Sequence, residues 1–176
     1  GRKKAVRLGS ADGRYFHLMA GIGVDGYIIQ KVGPDAKKRL GIVAFWIAGL
    51  SRFWKYPLRR FQVQIDETIY DATFAVISNT RFYGGNLQIT PRASVFDGML
   101  DVCLFRSRNH LSYLRYLYGV ITGRHLQFPD IVYRKSAYVR VIPYDGLTCQ
   151  LDGEPLSSLP LNYEVASESI EILTPS

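Results

Sequence analysis

The sequence predicts a mostly-β domain: a two-sheet antiparallel β-sandwich with inserted helices. Three observations carry this. Short runs of branched and aromatic residues recur along the chain, with turn residues between them. Phe61-Gln-Val-Gln-Ile65 alternates with a period of two, the mark of a half-buried strand. Two longer stretches have the apolar content and spacing of helices instead. Many short strands punctuated by turns argue for packed sheets rather than a doubly wound α/β fold. A chain of 176 residues is long enough for one domain with a genuine core.

In chain order, residues 14–22 (RYFHLMAGI) read as one strand, and Gly21, Gly23 and Gly26 then punctuate the chain around Asp25. A helix is expected from about Asp35 to Trp54, with a basic first half and a nearly all-apolar middle, ended by Pro57. Phe61–Ile65 and Ile69–Ser78 form a hairpin across Asp66 and Glu67. Residues 79–99 are a Gly- and Pro-punctuated loop, and Leu100–Phe105 is a strand. The second helix spans Arg108–Thr122, with Leu111, Leu114, Tyr118 and Ile121 on one face. Ser107 or Asn109 can cap its start, and Gly123 suits its end. Strands return at Ala137–Ile142, Leu147–Asp152, Asn162–Val165 and Ser169–Leu173.

The net charge is +7 and unevenly spread. Basic groups cluster at Arg2–Arg7, Lys37–Arg39, Arg52–Arg60 and Arg106–Arg115, whereas no Lys or Arg follows Arg140. Such a surface suits an anionic partner, and a merely solvated face explains each cluster as well. The two cysteines, Cys103 and Cys149, sit in apolar strand-like runs and read as reduced core thiols. His17, His110 and His125 show no zinc spacing and read as structural or surface residues. The apolar run LGIVAFWIAGLS is shorter than the roughly 20 residues that span a bilayer.

Three segments have residue types that can do chemistry. In Asn79–Asp101, Gly84 and Gly85 permit close backbone approach, and the Asp97 carboxylate before Gly98 can bind a hard cation with backbone carbonyls. The alternative is a structural loop closed by an Asx-turn. In Asp152-Gly153-Glu154, one carboxylate can accept a hydroxyl proton while the other holds magnesium. The alternative there is a plain Asp-Gly hairpin turn. Gly21-Ile-Gly-Val-Asp-Gly26 resembles a piece of a dinucleotide fingerprint, but no helix is expected to open at once after it and no βαβ unit surrounds it.

These three segments, in this order, resemble the motifs of the diacylglycerol kinase-like lipid kinases, a family that includes sphingosine and ceramide kinases. Gly21–Gly26 is similar to a Gly-x-Gly-Phe-Asp-Ala segment, with Val24 for Phe and Gly26 for Ala. Asn79–Asp101 is similar to Asn-x-x-x-Tyr-Gly-Gly-Gly … Asp-Gly-x-Leu-Asp, with Asn86 in place of the third Gly, and Asp152-Gly153-Glu154 to a C-terminal Asp-Gly-Glu. The resemblance implies the C-terminal, NAD kinase/diacylglycerol kinase-like β-sandwich domain over residues 1–176. The N-terminal nucleotide-binding domain, with its Gly-Gly-Asp-Gly-Thr motif, is absent from this sequence. It further implies Asp152 as general base toward a lipid hydroxyl, a role shared with an aspartate of that other domain. Glu154, beside Gly153, is implied for magnesium and nucleotide. Asp97, with the carbonyls of Ser94 and Met99, is implied for a structural metal ion.

Mg2+ and ATP are the cofactors so implied, with ATP bound mainly by the other domain. The partners so implied are a lipid substrate, an anionic membrane surface, the nucleotide-binding domain and a second copy in a homodimer. The implied location is cytoplasmic and peripheral to the membrane. The rival readings are a NAD kinase-like fragment, a non-catalytic lipid-binding or membrane-docking module, and a basic nucleic-acid binder. The apolar helix argues against the first. The absence of any standard nucleic-acid motif, with aromatics placed like core residues, argues against the last, so no nucleic acid is expected.

Overall fold

A computed structural model describes residues 1–32, 52–83 and 86–174. Its strands are β1 (Arg2–Ala11), β2 (Arg14–Phe16), β3 (Met19–Gly23), β4 (Phe61–Ile65), β5 (Thr68–Ala72), β6 (Phe74–Ser78), β7 (Leu100–Phe105), β8 (Ile131–Ser136), β9 (Tyr138–Ile142), β10 (Cys149–Leu151), β11 (Glu154–Pro155) and β12 (Asn162–Thr174). Helix α1 is Val24–Val32 and helix α2 is His110–Ile121. An outer sheet has the order β2-β1-β12-β9-β4-β5, and a central sheet the order β11-β10-β3-β6-β7-β8. Every strand pairing is antiparallel. The predicted two-sheet sandwich with inserted helices is the observed architecture.

Two apolar clusters explain why the sheets read differently in sequence. Between them, Val63, Val139, Val141 and Tyr163 of the outer sheet meet Ile22, Ile77, Leu100, Val102 and Leu104 of the central one. On the other face of the central sheet, Met19, Phe74, Val76, Cys103 and Phe105 pack with Val24 of α1 and with Tyr116 and Val120 of α2. The central strands β3, β6 and β7 are therefore buried at every residue, whereas β4 and β9 alternate. Cys103 and Cys149 are buried free thiols, and burial pushes Cys149 up to about 12.

Several elements depart from the expectation. Residues 14–22 are two strands in different sheets, because the chain crosses at His17 and Leu18. The expected Ile69–Ser78 strand likewise breaks at Thr73. Its N–H donates to the Phe105 carbonyl at 2.8 Å and its hydroxyl to the Ser107 carbonyl at 2.7 Å, so its N–H stays paired through the bend. β8 and β9 switch sheets across Ala137, and β8 was not expected. None of the three crossings has a Gly or Pro to announce it. Asn162–Val165 and Ser169–Leu173 are parts of one strand, which pairs with β1 and brings Glu171 to 2.9 Å from Lys3. The basic start and the acidic end of the sequence thus lie side by side.

Helix α1 opens immediately after β3, contrary to the reading of Gly21–Gly26 as a strand end without a following helix. The expected helix over 35–54 falls mostly on residues 33–51, which lie outside the described residues. Helix α2 is capped as expected: the Asn109 side chain accepts the Leu111 N–H, and Gly123 follows at φ +70°. Its orientation is the opposite of a core stripe. Tyr116, Gly119 and Val120 are buried, while Leu111, Leu114, Leu117, Tyr118 and Ile121 face outward, Ile121 being 64% exposed. Small Gly119 wins the inward position because a Cβ there would come within 2.6 Å of the Phe128 ring.

Candidate functional site

The antiparallel register puts two of the predicted site segments, the end of Asn79–Asp101 and Asp152–Glu154, at one end of the central sheet, while Gly23–Gly26 leaves β3 at the other. Asp152 donates its N–H to the Met19 carbonyl at 3.0 Å, and Met19 pairs with Ser78, Ser78 with Asp101, and Asp101 with Lys135. This row crosses the sheet from the β10–β11 turn to the end of β8. With strands about 4.8 Å apart, the Asp152 turn and Asp101 are about 14 Å from each other. Met99, directly before β7, and Ser94, whose carbonyl accepts the Asp97 N–H at 3.3 Å, lie at this same end.

Asp152 and Gly153 form a two-residue hairpin turn, both with positive φ (50° and 90°), as a primed turn between right-twisted strands requires. The turn also aims the Asp152 carboxylate at the sheet crossing. Oδ2 accepts the His17 N–H at 2.6 Å, and Oδ1 accepts those of Leu18 and Met19 at 2.8 and 2.9 Å. Three backbone donors that leave one sheet before entering the next are satisfied by one carboxylate. Oδ2, with a single donor, keeps a lone pair for another. Glu154 is exposed, and its carboxylate has no hydrogen-bond or ion-pair partner among the described residues.

Next to this turn lies a buried network that sequence reasoning missed. Asp25, in the first turn of α1, is buried, accepts the Gln150 Nε2–H at 2.8 Å on Oδ2 and receives the Tyr83 hydroxyl on Oδ1. Gln150 in turn accepts the Gly153 N–H at 2.6 Å. One network therefore joins the β3–α1 junction, the loop after β6 and the β10–β11 turn. A Cβ on Gly21 would stand 1.8 Å from Asp25 Oδ2, so this glycine makes room for the carboxylate. Gly84 and Gly85 lie outside the described residues. The signal for Asp25 and Tyr83 was present, since both sit inside the quoted motifs, but only the fold shows that they touch.

Burial raises the Asp25 carboxyl, against the hydrogen bonds from Tyr83 and Gln150 that favour the anion. A raised folded-state value gives stability that is complete below the unfolded value of 3.8 and lost as pH rises through the folded one. Asn at position 25 carries no such loss, and the Tyr83 hydroxyl can turn to accept from its amide. The denaturation midpoint of the wild type minus that of Asp25→Asn should therefore fall as pH is raised from about 4 to about 8. A flat difference across that range contradicts the buried placement.

The Asp97 loop is held differently. Asp97 Oδ1 accepts the Met99 N–H at 3.2 Å, and Asp97 Oδ2 pairs with the Lys135 ammonium. Lys135 also stands 3.1 Å from Oδ2 of Asp101, which is fully buried and whose Oδ1 receives the Tyr133 hydroxyl. Among the described residues, no cluster of three or more His, Cys, Asp or Glu could hold a metal ion. The loop's carboxylate is thus already neutralised by a group of the chain itself. A free, exposed carboxylate such as Glu154 instead fits magnesium, which binds through one or two carboxylates together with nucleotide phosphates.

A family model described as the YegS C-terminal NAD kinase β-sandwich-like domain matches residues 19–174. Among curated relatives, a diacylglycerol kinase of Mycobacterium tuberculosis is 27% identical over 92% of this chain and 53% of its own length. One of Bacillus subtilis is 23% identical, over 99% of this chain and 58% of its own. A Pseudomonas aeruginosa protein named "Probable lipid kinase YegS-like" is 28% identical, over 98% and 57%. The chain thus spans little more than half the length of these relatives. A solved Bacillus anthracis chain matches with a TM-score of 0.69 at 22% identity, over 94% of this chain and 54% of that one. Another, described as a diacylglycerol kinase, matches with a TM-score of 0.56 at 17% identity, over 93% and 51%. Both share the fold.

Proposed function

Because the chain belongs to the YegS C-terminal NAD kinase β-sandwich-like family, we propose that it forms the substrate side of an ATP-dependent lipid kinase. It works with a nucleotide-binding domain to phosphorylate a hydroxyl of a membrane lipid. The observation that carries the reading is the joining of three distant motifs by one hydrogen-bonded network, beside a turn that presents Asp152 and Glu154.

The division of labour follows from the two environments. Backbone donors fix Asp152, and its remaining Oδ2 lone pair accepts the hydrogen of the lipid hydroxyl and orients the oxygen for in-line attack. A loose phosphoryl-transfer transition state asks for positioning more than for a strong base, and a carboxylate held by three amides is suited to that. Gly153 keeps the backbone beside Glu154 clear, and Glu154 would hold the metal of the nucleotide. Magnesium, when bound with ATP, neutralises the charge of the phosphates.

The outward face of α2 is the surface for the membrane that carries the substrate. Five apolar side chains there are flanked in sequence by exposed Arg108 and Arg124, a pattern that suits an anionic interface, while Arg115 is held by Asp130. Among the described residues no helix is long and apolar enough to cross a membrane.

The test is transfer from labelled ATP to diacylglycerol, phosphatidylglycerol, sphingoid base and ceramide in anionic vesicles, by the protein together with its nucleotide-binding domain. Transfer to one lipid class is expected. The double substitution Leu111→Glu with Ile121→Glu should weaken vesicle binding about tenfold. It should leave stability within about 0.5 kcal/mol, since both side chains are exposed. Lipid binding without transfer to any acceptor would favour the docking-module reading.

A further inference from the structure

We infer that the Lys135 ammonium takes the place of a divalent cation at the Asp97 loop, so that this loop is closed by a charge of the chain itself and folds without metal. The inference rests on the geometry of four side chains and not on the phosphoryl-transfer reading.

Asp97-Gly98 invites a hard cation, which needs several oxygens with free lone pairs around one point. The structure commits both oxygens of the Asp97 carboxylate elsewhere. The Asp97 Oδ1 atom accepts the Met99 N–H at 3.2 Å, and the Ser94 carbonyl accepts the Asp97 N–H at 3.3 Å. The Asp97 Oδ2 atom takes the Lys135 ammonium. Loop residues 94–99 therefore make their own turn, with a lysine on the carboxylate oxygen that a cation would need.

Asp101 shows why the lysine is not an incidental neighbour. It lies opposite Lys135 in the β7–β8 ladder and is fully buried. The Tyr133 hydroxyl satisfies its Oδ1, and its Oδ2 has no hydrogen-bond partner among the described residues, the Lys135 ammonium standing 3.1 Å away as its counter-charge. A buried carboxylate without a counter-charge is costly, so Asp101 by itself demands a cation at this place. Lys135 meets that demand and reaches Asp97 with the same group, its own side chain being about one-third exposed at 34%. A divalent ion on Asp97 Oδ2 would have to expel the ammonium or sit beside a like charge.

The consequence for the protein is a division of cation dependence. The fold at this end of the central sheet should be indifferent to chelators, and any magnesium requirement of transfer should come through the nucleotide.

The experiment compares Mn2+ binding, read by electron paramagnetic resonance, and melting temperature in EDTA and in saturating Mg2+. Wild type and Asp97→Asn should bind Mn2+ equally, and the wild-type melting temperature should be the same in both buffers. Lys135→Met, which keeps an unbranched side chain one atom shorter and removes its charge, should melt lower in EDTA. It should bind Mn2+ at least about tenfold more tightly than the wild type and recover melting temperature with Mg2+. Mn2+ binding by the wild type that Asp97→Asn removes would overturn the proposal, and this comparison stands even if the lysine variant does not fold. A folded Lys135→Met that gains no Mn2+ binding would overturn it as well.

Discussion

Gly26→Ala should lower stability by about 3 kcal/mol or more, among the largest effects of any single methyl added to this domain. The added carbon would stand 2.5 Å from the Cys149 nitrogen, 2.7 Å from its Cα and 2.7 Å from the Thr148 carbonyl carbon. All three are backbone atoms of the segment that enters β10, so no side-chain rotation relieves the clash. Helix α1 must move away from the strand, and Asp25 moves with it, stretching the 2.8 Å bond to Gln150. At this chain length such a loss corresponds to a melting temperature lower by roughly 10 °C. Gly98→Ala is the matched control: nothing lies within 4 Å of its added carbon, and the cost is only that of an alanine at φ +65°, about 1 kcal/mol. Urea denaturation of the two variants side by side reads the difference, and equal losses contradict the close packing of α1 on β10.

Substitutions at Asp152 should separate structure from chemistry. Alanine leaves the His17, Leu18 and Met19 amides without their acceptor. With two of these amides at an exposed crossing, where water replaces part of what is lost, the expected cost is about 3 kcal/mol. Asparagine tolerates the same positive φ and keeps one acceptor oxygen for Leu18 and Met19, so its cost should be near that of one hydrogen bond, about 1–2 kcal/mol. It also puts an amide donor where, on the proposed function, the lipid hydroxyl would donate. Transfer to lipid should therefore fall by about a hundredfold or more in Asp152→Asn while the domain remains folded.

The fold class was legible because the outer sheet is half-exposed. Phe61–Ile65 and Tyr138–Ile142 alternate in sequence as they do in burial. The central strands were legible only as apolar runs, since α1 and α2 cover the face that would otherwise be polar. The crossings were not legible. At His17–Leu18, at Thr73 and at Ala137 the backbone is satisfied by distant partners, Asp152, Phe105 and Val165, that no local pattern reveals. Helix α2 shows the limit of periodicity: Leu111, Leu114, Tyr118 and Ile121 do share a face, but spacing cannot say whether that face meets the core or the solvent.

The site divides in the same way. Asp152, Glu154 and Asp97 stood out by residue type and neighbouring glycine, and the register brings their segments to one end of the central sheet. Gln150 and Lys135 had no comparable local signal. Gln150 sits in a strand, and its role appears only because Gly21 leaves space for Asp25 beside it. Lys135 sits in the strand that was not expected at all, opposite a buried aspartate.

The most direct measurement is the initial rate of phosphate transfer from ATP to the accepted lipid by wild type, Asp152→Asn and Asp145→Asn, each joined to the nucleotide-binding domain and assayed well below its melting temperature. Asp145 is an exposed carboxylate in the preceding loop and serves as the control. The account predicts a wild-type rate for Asp145→Asn and a loss of about a hundredfold for Asp152→Asn, with an unchanged circular dichroism spectrum. A folded Asp152→Asn that transfers phosphate at the wild-type rate would contradict it and leave Asp152 as the anchor of a sheet crossing alone.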